Sequence, residues 1–407
     1  MLTVLAANEF VRAEYDIKIL AAYSCQVLLV LHYSGCNRIK RLFFAARYRY
    51  VTLTLTRHLD MPTKDKKTST EGEDVGPYTD PDILYKNYIK ECAAIGIEQF
   101  GPVKAALTNE ANPNRGKQII VVTPGNGDCL GSGGVRALVN AIIAQPFTAV
   151  KDIRISSQLK DPGAAAIGTL LSATAKKLVV NNIASDDGSA PPPPEWQLEY
   201  LELVNNDIGR DGALAIGRSL CVGMNTTLTA LVLDFNPLGS NGIKGLCKGL
   251  RTNSTLKRLS VRHCSIDEHG GKAVGEMLHF KKTALIALDL SSNKLGCIGL
   301  RDMLSEGMDE NTSLKTLRLA ENSIGQTDDD FKTLESFAIF LMKHPSLVAV
   351  DLMHNRIGTT GGTLLLPVVT ENKRLTEFKV DSNMDNDVFK ALFRVSAPPK
   401  KKVKSKD

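Results

Sequence analysis

The sequence predicts an α/β repeat architecture in which short strands and helices alternate and the strand-plus-helix units stack into an elongated array. Three observations carry that expectation. A short motif recurs seven times between residues 198 and 387. The recurrences lie close to 29 residues apart, room for one short strand and one helix each. Within each unit an apolar period of two gives way to helical spacing.

The seven stretches are LEYLELVNNDIGRDG (198–212), LTALVLDFNPLGSNG (228–242), LKRLSVRHCSIDEHG (256–270), LIALDLSSNKLGCIG (285–299), LKTLRLAENSIGQTD (314–328), LVAVDLMHNRIGTTG (347–361) and LTEFKVDSNMDND (375–387), which share LxxLxLxxN/CxLGxxG. Counted from the second apolar position (201, 231, 259, 288, 317, 350, 378), the intervals are 30, 28, 29, 29, 33 and 28. In LxL the two apolar side chains share one face of a strand and the residue between them points to the other. The glycine turns the chain toward a helix, whose apolar positions recur at helical spacing, as in Ala215, Ile216, Ser219 and Leu220, or Leu300, Met303 and Leu304. One unit cannot bury its own core, and a stack can.

From the N-terminus, residues 1–60 match the repeats in neither composition nor pattern. Their most apolar stretch, Ile19–Leu31, is short of the roughly eighteen residues a membrane span needs, and the mixed charges before it, Glu9, Arg12, Glu14, Asp16 and Lys18, do not suit a signal peptide. The polar linker 61–78 opens with a second methionine, Met61, and the expectation is that the functional chain begins there. Residues 79–117 read as a helical N-terminal cap: Asp80 can cap a helix with Pro81 in its first turn, and Leu84, Tyr85, Tyr88, Ile89 and Cys92 line one face.

The repeats are assigned to 118–395, about nine units in all. Two less regular ones lead: IIVVTPGNGDCLGSGGVRALVNAI (119–142) has a longer loop, and TAVKDIRISSQLKDPGAAAIGTLL (148–171) a shorter one. The glycines of the first follow a strand and precede a helix, as a nucleotide loop would. Gly125, Gly127 and Gly131 are spaced GxGxxxG instead of GxGxxG, however, and no GK[ST] follows. A proline-rich insertion, 183–195, separates two units and suits an exposed polyproline II loop, or a ligand for a proline-recognition domain. A smaller insertion falls around 326–337. The chain ends in a basic tail, 396–407.

The net charge of +6 belongs to the two ends. Residues 1–60 carry +4 and the last eight residues +4, which leaves −2 on everything between. A near-neutral body lacks the basic stripe that a nucleic-acid groove requires, so the expected partner is protein. Eight cysteines without a CxxC pair fit reduced thiols, and the expected setting is cytoplasmic.

The motif and its period closely resemble the ribonuclease-inhibitor-like class of leucine-rich repeat proteins, over roughly 118–387. The resemblance implies a leucine-rich repeat solenoid, or horseshoe, with a parallel sheet on the concave side and helices outside. Members of the class are mostly binding scaffolds and include Ran GTPase activators, innate-immunity sensor domains, actin regulators and ciliary components. It therefore implies a non-enzymatic, monomeric interaction scaffold without a cofactor or metal, with the cytoskeleton, cilium and nucleus as further settings. The alternative is a Ran-type GTPase activator. That reading is weakened by a lysine-rich tail where those activators carry an acidic one, and no catalytic residue of theirs maps onto this chain.

In such a solenoid the residues between paired apolar positions line the concave face, here Arg154, Glu202, Val232, Ser260, Asp289, Arg318, Asp351 and Lys379. The last four alternate in sign and, in register about 4.8 Å apart, would form a charge ladder that either satisfies itself or receives a partner's charges. The following row adds Asp234, Arg262, Ser291, Met353 and Asp381, with Phe235, His263 and His354 at the strand exits. The proposed partner-binding set is Glu202, Asp234, Phe235, Arg262, His263, Asp289, Arg318, Asp351, Met353, His354 and Lys379. Lys400, Lys401, Lys402 and Lys404 resemble a nuclear-import signal, and a solvated tail is the plainer reading. His263, Cys264 and His269 suggest a catalytic or metal cluster until the repeats are aligned. Cys264 then falls in the slot held elsewhere by Asn206, Asn236, Asn293, Asn322, Asn355 and Asn383, which should turn it inward beneath the loop.

Overall fold

The computed structural model describes residues 79–122, 128–144, 147–181, 197–325 and 328–395. Residues 1–60, the linker 61–78, the insertion 183–195 and the tail 396–407, with its four candidate import lysines, lie outside them.

Two helices open the described chain. In α1 (Pro81–Ile95) the Asp80 carboxylate accepts from the Asp82 N–H, proline occupies the first turn, and Gly96 closes the helix in a left-handed conformation. Leu84, Tyr88 and Cys92 are buried, whereas Tyr85 and Ile89 stay at the margin. α2 (Gly101–Thr108) follows and packs on the first strand.

Nine strands then form one sheet whose spatial order is their order in the chain. They are β1 (Gln118–Val122), β2 (Asp152–Ser156), β3 (Tyr200–Glu202), β4 (Ala230–Val232), β5 (Arg258–Ser260), β6 (Ala287–Asp289), β7 (Thr316–Arg318), β8 (Ala349–Asp351) and β9 (Glu377–Lys379). Every pair is parallel. Parallel neighbours need a crossover, and each unit supplies a helix for it: α3 (Gly131–Ala144), α4 (Lys160–Asn181), α5 (Arg210–Ser219), α6 (Gly239–Leu250), α7 (Gly271–Leu278), α8 (Gly296–Ser305), α9 (Asp328–Lys343) and α10 (Gly358–Glu371), with α11 (Asn386–Leu392) after the last strand. This is the α/β solenoid that the repeat predicts.

The core lies between sheet and helices. Leu201, Leu231, Leu259, Leu288, Leu317, Val350 and Phe378 stand in register across seven strands, none more than 2% exposed. Each such side chain contributes about 1.5–3 kcal/mol of burial. On the outside, neighbouring helices meet along glycines: a Cβ at Gly249 would overlap the Gly217 carbonyl, and one at Gly271 the Gly299 carbonyl. At the far edge, Phe378 and Arg394 exchange both backbone hydrogen bonds (2.9 and 2.8 Å), so the returning chain covers β9.

Two buried polar ladders tie unit to unit. In the first, the side-chain carbonyls of Asn206, Asn236, Asn293 and Asn355 accept the backbone N–H of Ser157, Asn206, Cys264 and Asn322 in the preceding unit, at 2.8–3.0 Å. Their amide groups donate to carbonyls such as Ile155, Leu203, Val261 and Leu319. The second ladder runs where each helix returns to the sheet. Asn253, Asn311 and Asn372 donate to the carbonyls of Leu220, Leu278 and Leu341 at 2.8–2.9 Å, while their side-chain oxygens accept from the chain that enters the next strand. The sequence reading missed this ladder. Its signal was asparagine three residues before the first leucine of several units.

Candidate functional site

The helix-free face of the sheet is built by strand alternation. Between two buried apolar residues the intervening side chain projects away from the helices. Strand pairing places Ile120, Arg154, Glu202, Val232, Ser260, Asp289, Arg318, Asp351 and Lys379 side by side in one row.

The row begins apolar. Ile120 and Val122 are 46% and 48% exposed on β1, residues that the sequence reading left out although IIVV alternates as a strand should. Next to them Arg154 donates to both oxygens of Asp152 at 2.8–3.2 Å and lies 4.6 Å from the centre of the Tyr200 ring. The Tyr200 hydroxyl donates to Glu202 at 2.8 Å, and the Gln118 amide to Asp152 at 2.7 Å. Desolvation and the neighbouring Glu202 carboxylate raise the Tyr200 pKa, so this end is a neutral-phenol network in which one guanidinium, Arg154, stands among two carboxylates, Asp152 and Glu202.

The middle of the row differs from the expected surface. Asp234 is wholly buried and Asp289 is 6% exposed, so neither carboxylate is displayed. One oxygen of Asp234 accepts from the Ser260 hydroxyl (2.6 Å) and the Arg262 backbone N–H (2.9 Å), while Oδ2 has no partner. Burial, and then the nearby Asp289 charge, push its pKa up to about 7. Asp289 Oδ1 accepts from the Ser291 N–H at 3.0 Å. Its Oδ2 faces two guanidinium groups, Arg262 at 4.0 Å and Arg318 at 3.6 Å.

The four-member charge ladder needs correction. Arg318 pairs with Asp289, but Lys379 turns to Glu377 on its own strand, so the alternation ends in a local ion pair. Asp351 accepts from the Met353 N–H at 3.0 Å, and desolvation raises its pKa against the opposing influence of Lys379 and Arg318. Glu202, Arg262, Arg318, Asp351, Met353 and Lys379 are all partly exposed on the face.

Phe235, His263 and His354 occupy the strand exits with φ of 59°, 52° and 60°. A side chain is rarely held in this left-handed region unless its surroundings impose it. Here the Phe235 N–H donates to the Arg262 carbonyl (2.8 Å) and the His263 N–H to that of Ser291 (3.0 Å), so the next strand fixes the bend. The rings of Phe235 and His263 lie 5.1 Å apart at 38°, and His354 Nδ1 is 3.8 Å from Asp381.

Cys264 points inward as the alignment predicts. Its thiol donates to the Leu233 carbonyl at 3.2 Å, and burial raises its pKa. His263 is exposed on the other side of the backbone, and His269 lies in a 3-10 turn, Glu268–Gly270, whose cap is Asp267. Candidate metal-ligating atoms of Asp267, Glu268 and His269 come within 4.8 Å of one another, an exposed grouping in which Asp267 Oδ1 accepts from the His269 backbone N–H and lies 3.2 Å from its ring Nδ1.

The leucine rich repeat family model matches residues 198–217, 225–247, 252–275 and 343–366. Porcine ribonuclease inhibitor (Sus scrofa) is 32% identical over 176 residues, 42% of this chain and 36% of the inhibitor. The chain carries leucine-rich repeats and is similar to ribonuclease inhibitor. Human NACHT, LRR and PYD domains-containing protein 2 is 29% identical over 196 residues, 47% of this repeat protein and 18% of the human one. The Rho GTPase-activating protein gacW of Dictyostelium discoideum is 30% identical over 192 residues, 46% of this chain and 16% of gacW. The repeat protein thus spans well under half the length of each of these relatives.

Proposed function

We propose that this leucine-rich repeat protein is a non-enzymatic scaffold that binds a protein partner on the helix-free face of its sheet and the adjoining strand exits. The observation that carries this reading is the nine-residue row itself: one open parallel sheet presents an apolar stretch, a hydrogen-bonded Asp152–Arg154–Tyr200–Glu202 network and a guanidinium-rich stretch in a fixed order. A preformed surface loses little conformational freedom on binding, which favours recognition. The residues assigned to it are Glu202, Phe235, Arg262, His263, Arg318, Asp351, Met353, His354 and Lys379, with Asp234 and Asp289 acting beneath the surface. Affinity purification with the full-length chain and an Arg318→Glu control tests the reading. Proteins retained by the parent and lost by the variant support it; identical retention by both refutes it.

The similarity to gacW favours GTPase activation as a second reading. A purified-protein assay on Ran and Rho-type GTPases decides it: unchanged GTP hydrolysis at micromolar protein removes it. For location we propose the cytoplasm, with nuclear entry through Lys400, Lys401, Lys402 and Lys404. A reporter fused to residues 396–407 that stays evenly distributed removes nuclear entry. Cytoskeletal and ciliary settings rest on the family resemblance, and imaging the tagged chain there tests them.

A further inference from the structure

We infer that Arg262 and Arg318 form a docking point for a carboxylate, so that the partner presents an acidic side chain, Asp or Glu, to the middle of the sheet. The inference rests on the proposed use of this face and names the chemistry that it recognises.

The contrast with Arg154 motivates it. That guanidinium is held by both oxygens of Asp152 and stacked on Tyr200. Arg262 and Arg318 carry the same fork of donors, and neither side chain makes a hydrogen bond to any described residue; Arg262 Nε is buried without a partner. Both converge on one atom, Asp289 Oδ2, at 4.0 and 3.6 Å, Arg262 from the turn that follows β5 and Arg318 from β7 on the other side. Two cations thus share a single carboxylate oxygen.

The surrounding acids do not complete the neutralisation at contact distance. Asp234 lies wholly below the surface and spends Oδ1 on Ser260 and the Arg262 backbone. Asp289 Oδ1 and one Asp351 oxygen are engaged by backbone N–H groups. A partner cation would meet two guanidinium groups beside the one oxygen that Asp351 leaves at the face, whereas a partner carboxylate would meet unused planar donors. The side chains are 24% and 23% exposed, so an approaching acid is partly shielded from water, where charge-assisted hydrogen bonds gain strength. A carboxylate matches the guanidinium fork in two-point geometry. The neighbouring, mutually tilted Phe235 and His263 rings at the strand exits supply contact area for the rest of the segment.

Fluorescence anisotropy on the full-length chain tests this, with Lys400, Lys401, Lys402 and Lys404 changed to Gln so that the tail cannot bind a polyanion. The probes are labelled octaglutamate, octalysine and an octapeptide bearing phosphoserine. Saturable octaglutamate binding is expected, weakened about tenfold or more in Arg262→Gln/Arg318→Gln at unchanged melting temperature. Arg262→Lys/Arg318→Lys keeps charge but loses the fork, and should fall between the two; it decides the matter if the Gln pair fails to fold. No octaglutamate binding, or binding indifferent to both pairs, overturns the inference. Stronger, Arg-dependent binding of the phosphoserine peptide overturns the carboxylate in favour of phosphate. Octalysine binding that Arg318→Glu or Asp351→Asn alters overturns the inference while leaving the sheet face as the binding surface; indifference of every probe to all of these substitutions removes both.

Discussion

Asp234→Asn should stabilise the protein increasingly as pH rises. The Asp234 carboxyl is wholly buried, with one oxygen unpartnered, and its pKa is pushed up from 3.8 to about 7. A raised carboxyl pKa means that the folded state holds its proton where the unfolded chain has lost it. The associated stability is therefore complete below about pH 4 and disappears as pH rises through about 7. Each unit of difference is worth about 1.4 kcal/mol. Between pH 5 and pH 8.5 the parent accordingly loses about 2–3 kcal/mol through this residue, a loss an amide at 234 does not suffer. The Asn oxygen can keep the hydrogen bonds from Ser260 and Arg262, while its amide replaces the orphaned oxygen. Chemical denaturation of both proteins at pH 5, 7 and 8.5 reads the difference. A stability gap that is the same at all three values, or that favours Asp at pH 8.5, refutes the reasoning.

His344 should act with the opposite slope: burial, and then Arg374, depress its pKa to about 4, so stability falls as pH drops from about 6.5 toward 4, by about 1–2 kcal/mol after solvent screening. His344→Asn should flatten that part of the profile, as denaturation at pH 5 and 7 would show. Cys264→Asn should stay folded with partner binding unchanged, since asparagine in the same slot of four other units forms the ladder bonds; loss of binding by the folded variant contradicts this. In the native parent the Cys264 thiol should resist iodoacetamide, checked by peptide mass mapping. Gly249→Ala drives a methyl into the Gly217 carbonyl and should cost about 1–3 kcal/mol, measured by thermal melting.

The fold was legible because its information is periodic. LxL spacing marks strands, intervals near 29 mark units, and a slot that alternates Asn with Cys places Cys264 inside, so alignment alone dissolved the apparent His263–Cys264–His269 cluster. The candidate face was legible as a row for the same reason. Its electrostatics were not. Alternating signs at Asp289, Arg318, Asp351 and Lys379 suggested a ladder, but each side chain chooses among partners on its own strand as well as the next, and Lys379 takes Glu377. His344 stands in the asparagine ladder, its Nδ1 accepting from the Leu347 N–H at 3.1 Å, a role that only comparison in space assigns.

The sequence by itself determined the repeating unit, the parallel stack and which residues face away from the helices, because strand alternation and burial act over a few neighbouring residues and repeat unchanged. Only the tertiary structure decided that Asp234 is buried and half-orphaned, that Arg154 is satisfied, and that Arg262 and Arg318 share one oxygen of Asp289. The distinctions at Asp234 and Asp289 depend on distances of a few ångströms between residues 26 to 29 positions apart, that at Arg154 on Asp152 of its own strand and Tyr200 of the next, and the energy of a charge is set by what surrounds it rather than by its place in the repeat.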